Sequence, residues 1–282
     1  MPELPEVETL KEGLRKFLPG RSILDISSNR PRMLLGEPQR VLGAEVVRIN
    51  RYAKLLEIVL DNGYSLLFHL KLTGQLVLVD DSHPKLAGGH AVPPLNTSVP
   101  NKSTHIVIGF RDGSKLYFND LRQFGWLKVL KTATVPKEPF IKSLGPEPLS
   151  KAFTPLYLAK ICEKTAKPIK TLLMEQDKIA GLGNIYSDEA LWWAKVHPKR
   201  AANSLSKEEI EALYRGCQRA IEEGIRHRGS SLLSYVTLEG EKGNFLHVAK
   251  AYHQQVCARC GGKISKIKLG GRTAHFCAQC QR

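Results

Sequence analysis

Leu55-Leu56-Glu57-Ile58-Val59-Leu60-Asp61-Asn62-Gly63-Tyr64-Ser65-Leu66-Leu67-Phe68-His69-Leu70 is the stretch that decides the fold. Two short runs of aliphatic and aromatic residues flank an Asp-Asn-Gly turn, a pattern that predicts a tight antiparallel hairpin. Similar runs follow at 75–79, 105–110 and 115–118, the last two joined by the turn Arg111-Asp112-Gly113. Strands at such regular spacing predict an antiparallel sandwich or barrel. Residues 80–103 interrupt the series with Pro84, Gly88, Gly89, Pro93, Pro94 and Pro100, and they read as a long surface loop.

Upstream, Leu4, Val7, Leu10, Leu14, Phe17 and Leu18 recur at helical spacing and Pro5 suits a first turn, so residues 4–18 are expected to form an amphipathic helix. Downstream, residues 135–155 are proline-rich and have the composition of an interdomain linker. Beyond it the period becomes helical at 156–164, 169–176, 185–196 and 207–225. Ser206 followed by Glu209 forms a capping box for the last of these. The expected class is α+β. An N-terminal helix and β-sandwich occupy residues 1–134, the linker 135–155, a helical domain 156–241 and a cysteine-bearing module 242–282.

The chain has 282 residues and a net charge of +15. Its longest apolar runs fall well short of a membrane span. The acidic start lacks a basic leader and an apolar core, so a reducing, cytoplasmic setting is expected. The charge surplus implies a polyanionic partner, because lysines and arginines on nucleic acid release condensed counterions. More than half of that surplus lies in residues 242–282, where Lys242, Lys250, Arg259, Lys263, Lys266, Lys268, Arg272 and Arg282 face no carboxylate. The first twelve residues are the reverse, with Glu3, Glu6, Glu8 and Glu12 against Lys11.

Four of the six cysteines stand as Cys257-x-x-Cys260 and Cys277-x-x-Cys280. That spacing matches a four-thiolate Zn2+ site, and a fully thiolate shell leaves the metal no open position, so its role is structural. Cys162 and Cys217 lie on apolar helix faces and read as small core residues. Arg272, at a glycine turn between the pairs, is placed either to meet a phosphate or to sit on a solvated surface. Gly181-Leu182-Gly183-Asn184 forms a second glycine turn, with Asn184 suited to an N-cap and free amides able to bind phosphate. Lys170 and Lys178 nearby strengthen a phosphate reading over an ordinary turn.

Pro at position 2 permits removal of the initiator methionine, leaving a secondary amine. An α-amino group has a pKa of about 7.7–8.0, so a useful fraction is an unprotonated nucleophile near neutrality. Its attack on the anomeric carbon of a sugar yields an iminium ion, an electron sink for β-elimination. Glu3 could then serve as general acid and Glu6 could orient the amine. The same carboxylates are equally explained by the dipole of a helix N-terminus.

Pro2-Glu3-Leu4-Pro5-Glu6-Val7-Glu8-Thr9, Leu144-Gly145-Pro146-Glu147-Pro148-Leu149, Gly181-Leu182-Gly183-Asn184-Ile185-Tyr186 and the four-cysteine finger together resemble the bacterial formamidopyrimidine-DNA glycosylases, in the family's order and across the whole chain. The resemblance implies a bifunctional glycosylase/lyase that removes 8-oxoguanine and formamidopyrimidines from double-stranded DNA and cuts the strand by β,δ-elimination. It implies a helix–two-turn–helix domain between sandwich and zinc finger, and action as a monomer on nucleoid DNA. Carried over by position, Pro2 is the Schiff-base nucleophile, Glu3 the general acid, and Lys54 a phosphate contact beside the lesion. Asn184 and Arg272 grip the flanking phosphates, with His69 and Lys170 as further contacts.

A glycosylase extrudes its target base and must fill the hole left behind. The family's Met, Arg, Phe trio reads here Leu72, Arg122 and Phe124. In place of Asp-Pro-Arg-Arg-Phe-Gly this chain has Asp120-Leu121-Arg122-Gln123-Phe124-Gly125, lacking the proline and one arginine. The expected consequence is a looser opposite-base preference. The lesion-reading loop around Gly229-Ser230-Ser231 carries serines where threonines are common. Two alternatives stand beside this reading. An endonuclease VIII type enzyme would share the amine chemistry but prefer oxidised pyrimidines, and its usual Pro-Glu-Gly-Pro-Glu start differs at Leu4. A non-catalytic zinc-containing DNA-binding protein would leave Pro2, Glu3 and Glu6 without a purpose.

Overall fold

The computed structural model describes residues 2–80, 86–90, 98–230, 235–236 and 243–282. These fall into two compact units, one formed by residues 1–142 with 228–243 and the other by 143–227 with 244–282. The division differs from the sequence boundaries in two ways. The first unit continues to Lys142, inside the expected linker, and the segment after the long helix returns to that unit instead of extending the helical domain.

The first unit opens with helix α1 (Leu4–Phe17), which starts at N-cap Glu3 and carries a proline in its first turn. Leu4, Val7, Leu10 and Leu14 are fully buried along one stripe, each contributing about 1.5–3 kcal/mol through burial. The strands are β1 (Ile23–Ser28), β2 (Leu34–Leu35), β3 (Val46–Tyr52), β4 (Leu55–Leu60), β5 (Tyr64–His69) and β6 (Gly74–Val79). They continue as β7 (Leu86–His90), β8 (Thr104–Phe110), β9 (Lys115–Asp120), β10 (Trp126–Lys131) and β11 (Tyr235–Val236).

One sheet runs in the order β1-β8-β9-β6-β7-β11 and the other β2-β10-β5-β4-β3. All pairings are antiparallel except the short β2–β10 ladder. The opening hairpin is formed as expected, with Leu56 opposite Phe68 and Ile58 opposite Leu66. Inward residues of both sheets, such as Ile58, Phe68, Leu76, Ile108 and Phe118, share one core with Val7, Leu10 and Leu14 of α1. This is the expected sandwich. Within the expected loop at 80–103, residues 86–90 instead form β7, paired through Gly88 and Gly89 to β6, while 81–85 and 91–97 lie outside the described residues. Two glycines hid the strand, since glycine carries no strand pattern.

The second unit contains α3 (Pro155–Glu163), α4 (Ile169–Leu173), α5 (Asn184–Ala194), α6 (Lys207–Arg226) and α7 (Phe245–Val248), after a single turn α2 (Pro139–Lys142) at the end of the first unit. The Ser206–Glu209 capping box is present at α6. Helices α5 and α6 approach so closely that a Cβ on Gly216 would lie 2.5 Å from the Ala190 carbonyl oxygen. Residues 144–149 are no slack linker. Gly145 N–H donates to Gln176 (2.9 Å) and Pro146 accepts from Ala180 (3.1 Å), while a Cβ on Gly145 would meet the Lys178 carbonyl at 2.3 Å. The chain ends in hairpin β12 (Ile264–Leu269) and β13 (Arg272–Cys277), closed by the left-handed pair Gly270 and Gly271.

Candidate active site and DNA-binding surface

Pro2 is buried, and Glu3 and Glu6 are 3% and 2% exposed. Glu3 at the N-cap and Glu6 in the first turn form a capping box, in which Glu6 Oε2 accepts the Glu3 N–H at 2.8 Å. That bond holds the peptide immediately after Pro2. The other oxygen, Oε1, accepts the Ser230 N–H (2.8 Å) and hydroxyl (3.2 Å). One buried carboxylate thus ties the start of α1 to the segment expected to read the lesion. Gly229, at φ +83°, lies so close that a Cβ would come 2.9 Å from Glu6 Cγ and Oε1. Ser231 lies outside the described residues.

The four N-terminal glutamates divide into two pairs. Glu8 accepts from Lys11 (2.5 Å) and Arg51 (2.6 Å), and Glu12 pairs with Arg15 at 3.2 Å. Burial would raise the Glu8 pKa, but hydrogen bonds from Lys11 and Arg51 outweigh it and hold it below the ordinary value. Glu3 and Glu6, unlike Glu8 and Glu12, are buried beside Pro2. Arg51 also donates to the Ala53 carbonyl at 2.9 Å, fixing the two-residue turn between β3 and β4 that carries buried Lys54. Ala53 adopts φ +51° there. Sequence reasoning missed Arg51, because its partner lies 43 residues away.

His69 ends β5 with its ring edge-on to Trp126 and Phe140. Burial first, then the charges of Lys71 and Lys54, push its pKa down to about 3. Its Nδ1 accepts the Lys71 N–H at 3.1 Å, which leaves the proton on Nε2. In this state His69 offers a neutral N–H donor at Nε2. Leu72 is half-buried in the turn before β6.

The turn after β9 carries the other two candidate wedge residues. Asp120, fully buried, accepts from the Thr73 hydroxyl, from Arg122 N–H at 3.2 Å and from Gly125 N–H at 2.7 Å. This carboxylate organises the turn, a role the motif did not reveal. Phe124 is 53% exposed, and the Arg122 guanidinium lies 4.9 Å from its ring centroid. A large exposed aromatic beside an exposed arginine is the arrangement expected of a surface that meets a partner.

In the second unit the cap of α5 is Gly183, not Asn184. Asn184 is the first helical residue, and its buried Oδ1 has no hydrogen-bond partner among the described residues. Arg272 is exposed at the start of β13. Lys170 corrects the sequence expectation: both it and Asp188 are 0% exposed and form an ion pair at 2.5 Å. Its ammonium also donates to the carbonyls of Thr273 (3.3 Å) and Asn184 (3.4 Å). Its charge is engaged inside the unit, where it joins the two segments that carry Asn184 and Arg272.

The four sulfurs of Cys257, Cys260, Cys277 and Cys280 lie within 4.8 Å of one another. Separations of 3.5 Å (Cys260–Cys277) and 4.0 Å (Cys257–Cys280) bracket the edge, ~3.8 Å, of a tetrahedron of sulfurs about zinc. Burial would raise the Cys257 thiol, but N–H donors from Arg259, the Trp192 indole and Cys260 lower it to about 6. The spacing of the four sulfurs fits one structural Zn2+. Cys162 and Cys217 are buried, with burial pushing the Cys162 thiol up to about 12.

Residues 1–127 match the formamidopyrimidine-DNA glycosylase N-terminal domain, 144–235 its H2TH domain, and 254–282 the zinc finger found in FPG and IleRS. Formamidopyrimidine-DNA glycosylase of Desulforamulus reducens is 36% identical over 290 residues, covering 100% of this chain and 99% of that one. The Geobacillus kaustophilus protein of the same name is 37% identical with full coverage of both. Lactococcus lactis Fpg in complex with abasic-site DNA superposes with a TM-score of 0.87 at 32% identity, covering 99% of each chain. A mutant of it with Fapy-dG-containing DNA gives 0.88 at 33% identity, with full coverage of both. The chain belongs to the formamidopyrimidine-DNA glycosylase family.

Proposed function

We propose that the chain excises oxidised purines, 8-oxoguanine and formamidopyrimidines, from double-stranded DNA and then cuts the strand at the resulting site. The observation that carries this reading is the Glu6 carboxylate, which holds the peptide after Pro2 with one oxygen and Ser230 with the other. Catalysis by an amine needs it positioned within a narrow range of the sugar carbon, and a buried, doubly anchored helix start supplies such positioning.

With Met1 removed, the Pro2 nitrogen attacks C1′ and the base departs with the glycosidic electron pair. The Pro2 N–H proton passes to the departing base, and Glu3, beside the amine, delivers a second proton to the ring oxygen as the sugar opens to the iminium. The resulting iminium is cationic without an added proton, so loss of a C2′ proton expels the 3′ phosphate. A second elimination expels the 5′ phosphate, and water releases the amine. Lys54, with Asn184 and Arg272, holds the backbone phosphates flanking the extruded nucleotide, while Arg122, Phe124 and Leu72 fill the vacated stack. His69 assists as a neutral donor. Zinc supplies no step of this chemistry; its thiolate shell stabilises the hairpin that carries Arg272. The enzyme works as a monomer on the nucleoid.

Borohydride trapping tests the proposal. A covalent adduct is expected with a duplex carrying 8-oxoguanine opposite cytosine, the intact protein should have lost Met1 by mass, and Pro2→Gly should lose most of the adduct. Trapping confined to thymine glycol opposite adenine would instead favour an oxidised-pyrimidine enzyme. Absence of adduct with either would leave only a DNA-binding role.

A further inference from the structure

The segment that follows β1 is held rigidly against the start of β8. Asn29 N–H donates to the His105 carbonyl (3.1 Å), the Asn29 amide donates to Thr104 (3.0 Å), and the Ser28 hydroxyl both donates to His105 (2.8 Å) and accepts from Arg30 N–H (3.0 Å). The buried His105 ring then spans Asn29 Oδ1 (3.0 Å) and the Asp120 carbonyl (3.1 Å). This segment is thereby locked to the turn that displays Arg122 and Phe124.

The lock brings two guanidinium groups to one uncharged atom. Gln123 Oε1 accepts from Arg32 Nη2 at 2.9 Å and from Arg30 Nε at 3.3 Å. Both arginines are exposed, and among the described residues neither pairs with a carboxylate. Gln123 sits in the left-handed region, φ +56°, a costly conformation for a residue with a side chain. Two like charges gathered without a counter-anion repel unless an anion is supplied from outside. The wedge beside them, with Leu121 48% and Phe124 53% exposed, gives the direction from which it comes.

Gln123 is also where the resembling family carries an arginine. We propose that Arg30 and Arg32, aligned by the Gln123 amide, form a phosphodiester-binding pair that grips the DNA backbone beside the wedge and takes over the positive charge missing at position 123. The proposal rests on the DNA-repair reading above. Planar guanidiniums suit this task because each can present two donors to one phosphate.

The test is binding of the full-length zinc-loaded protein to a duplex with a tetrahydrofuran abasic-site analogue, followed by fluorescence anisotropy across a salt series. Arg30→Gln/Arg32→Gln should weaken binding about tenfold near physiological salt and flatten the slope of log Kd against log[salt] by about 0.9 for one phosphate lost. Adding Gln123→Arg to that double variant should restore most of both. In the otherwise unchanged protein Gln123→Arg should bring no gain, since it adds a third charge to the pair. An unchanged slope in the double variant overturns the proposal, as does weaker binding that accompanies a fall in thermal midpoint without a slope change. Failure of the unaltered protein to bind this duplex at all would instead strike the DNA-repair reading.

Discussion

His69 shows how one residue's surroundings decide what it can contribute. A histidine expected beside phosphates suggests a cation, yet its ring is enclosed by Trp126 and Phe140 and faces the charges of Lys71 and Lys54. The folded protein keeps it neutral until about pH 3, whereas the unfolded chain takes up the proton near 6.5. The depressed folded value means that its contribution to stability is intact above the unfolded pKa and declines as pH falls from about 6.5 toward 3. At pH 5 the loss is about 2 kcal/mol relative to pH 8. Urea denaturation of the parent and of His69→Gln at both pH values should show that the variant loses about that much less on acidification. Equal acid sensitivity would mean that His69 is charged in the folded state.

Among the elements, α4, α5 and the terminal hairpin meet at the Lys170–Asp188 pair. Asp188 also accepts the His275 N–H (3.0 Å) and faces its Nδ1 (3.1 Å). Lys170→Met strands a buried carboxylate, which costs about 3–5 kcal/mol, and it releases the carbonyls of Asn184 and Thr273 together. Denaturation should register that loss, and Lys170→Met/Asp188→Asn should recover part of it. A fully stable Lys170→Met with a flatter salt dependence of DNA binding would instead make Lys170 a direct phosphate contact. The helices and most strands were legible because period 3.6 and period 2 are local properties, as were the cysteine spacing and the glutamates next to Pro2. The burial of Lys170 is not legible locally, because it follows from Asp188, 18 positions away, and from Thr273, 103 away. Arg30 and Arg32 went unnoticed for the same reason: Gln123 lies 93 and 91 residues from them. Local pattern also put the α5 cap one residue late, since a cap depends on where the preceding turn releases the chain.

At the scale of the whole molecule, stability is divided between unlike cores. The sandwich has a broad apolar interior with α1 sealed into it. The terminal module has little: Trp192, Ala251, Cys257, Ile264 and Cys277 form its small cluster, with the Trp192 indole donating to Cys257 Sγ at 3.3 Å and the Arg259 guanidinium 4.0 Å from the indole ring centroid. A module this small depends on its metal for folding. More than half of the +15 surplus lies in the 41 residues 242–282 that contain it, so the metal governs how much of that positive charge is held. Removing zinc with a chelator at neutral pH should abolish hydrogen-exchange protection across β12 and β13 and shift Trp192 emission, while β4 and β5 keep theirs. DNA affinity should fall with a flatter salt dependence, because Arg272 and the tail's lysines lose their common frame although their charges persist. Loss of protection in β4 and β5 on the same treatment would show that the sandwich depends on the finger; unchanged exchange in β12 and β13 would show that the hairpin holds without metal.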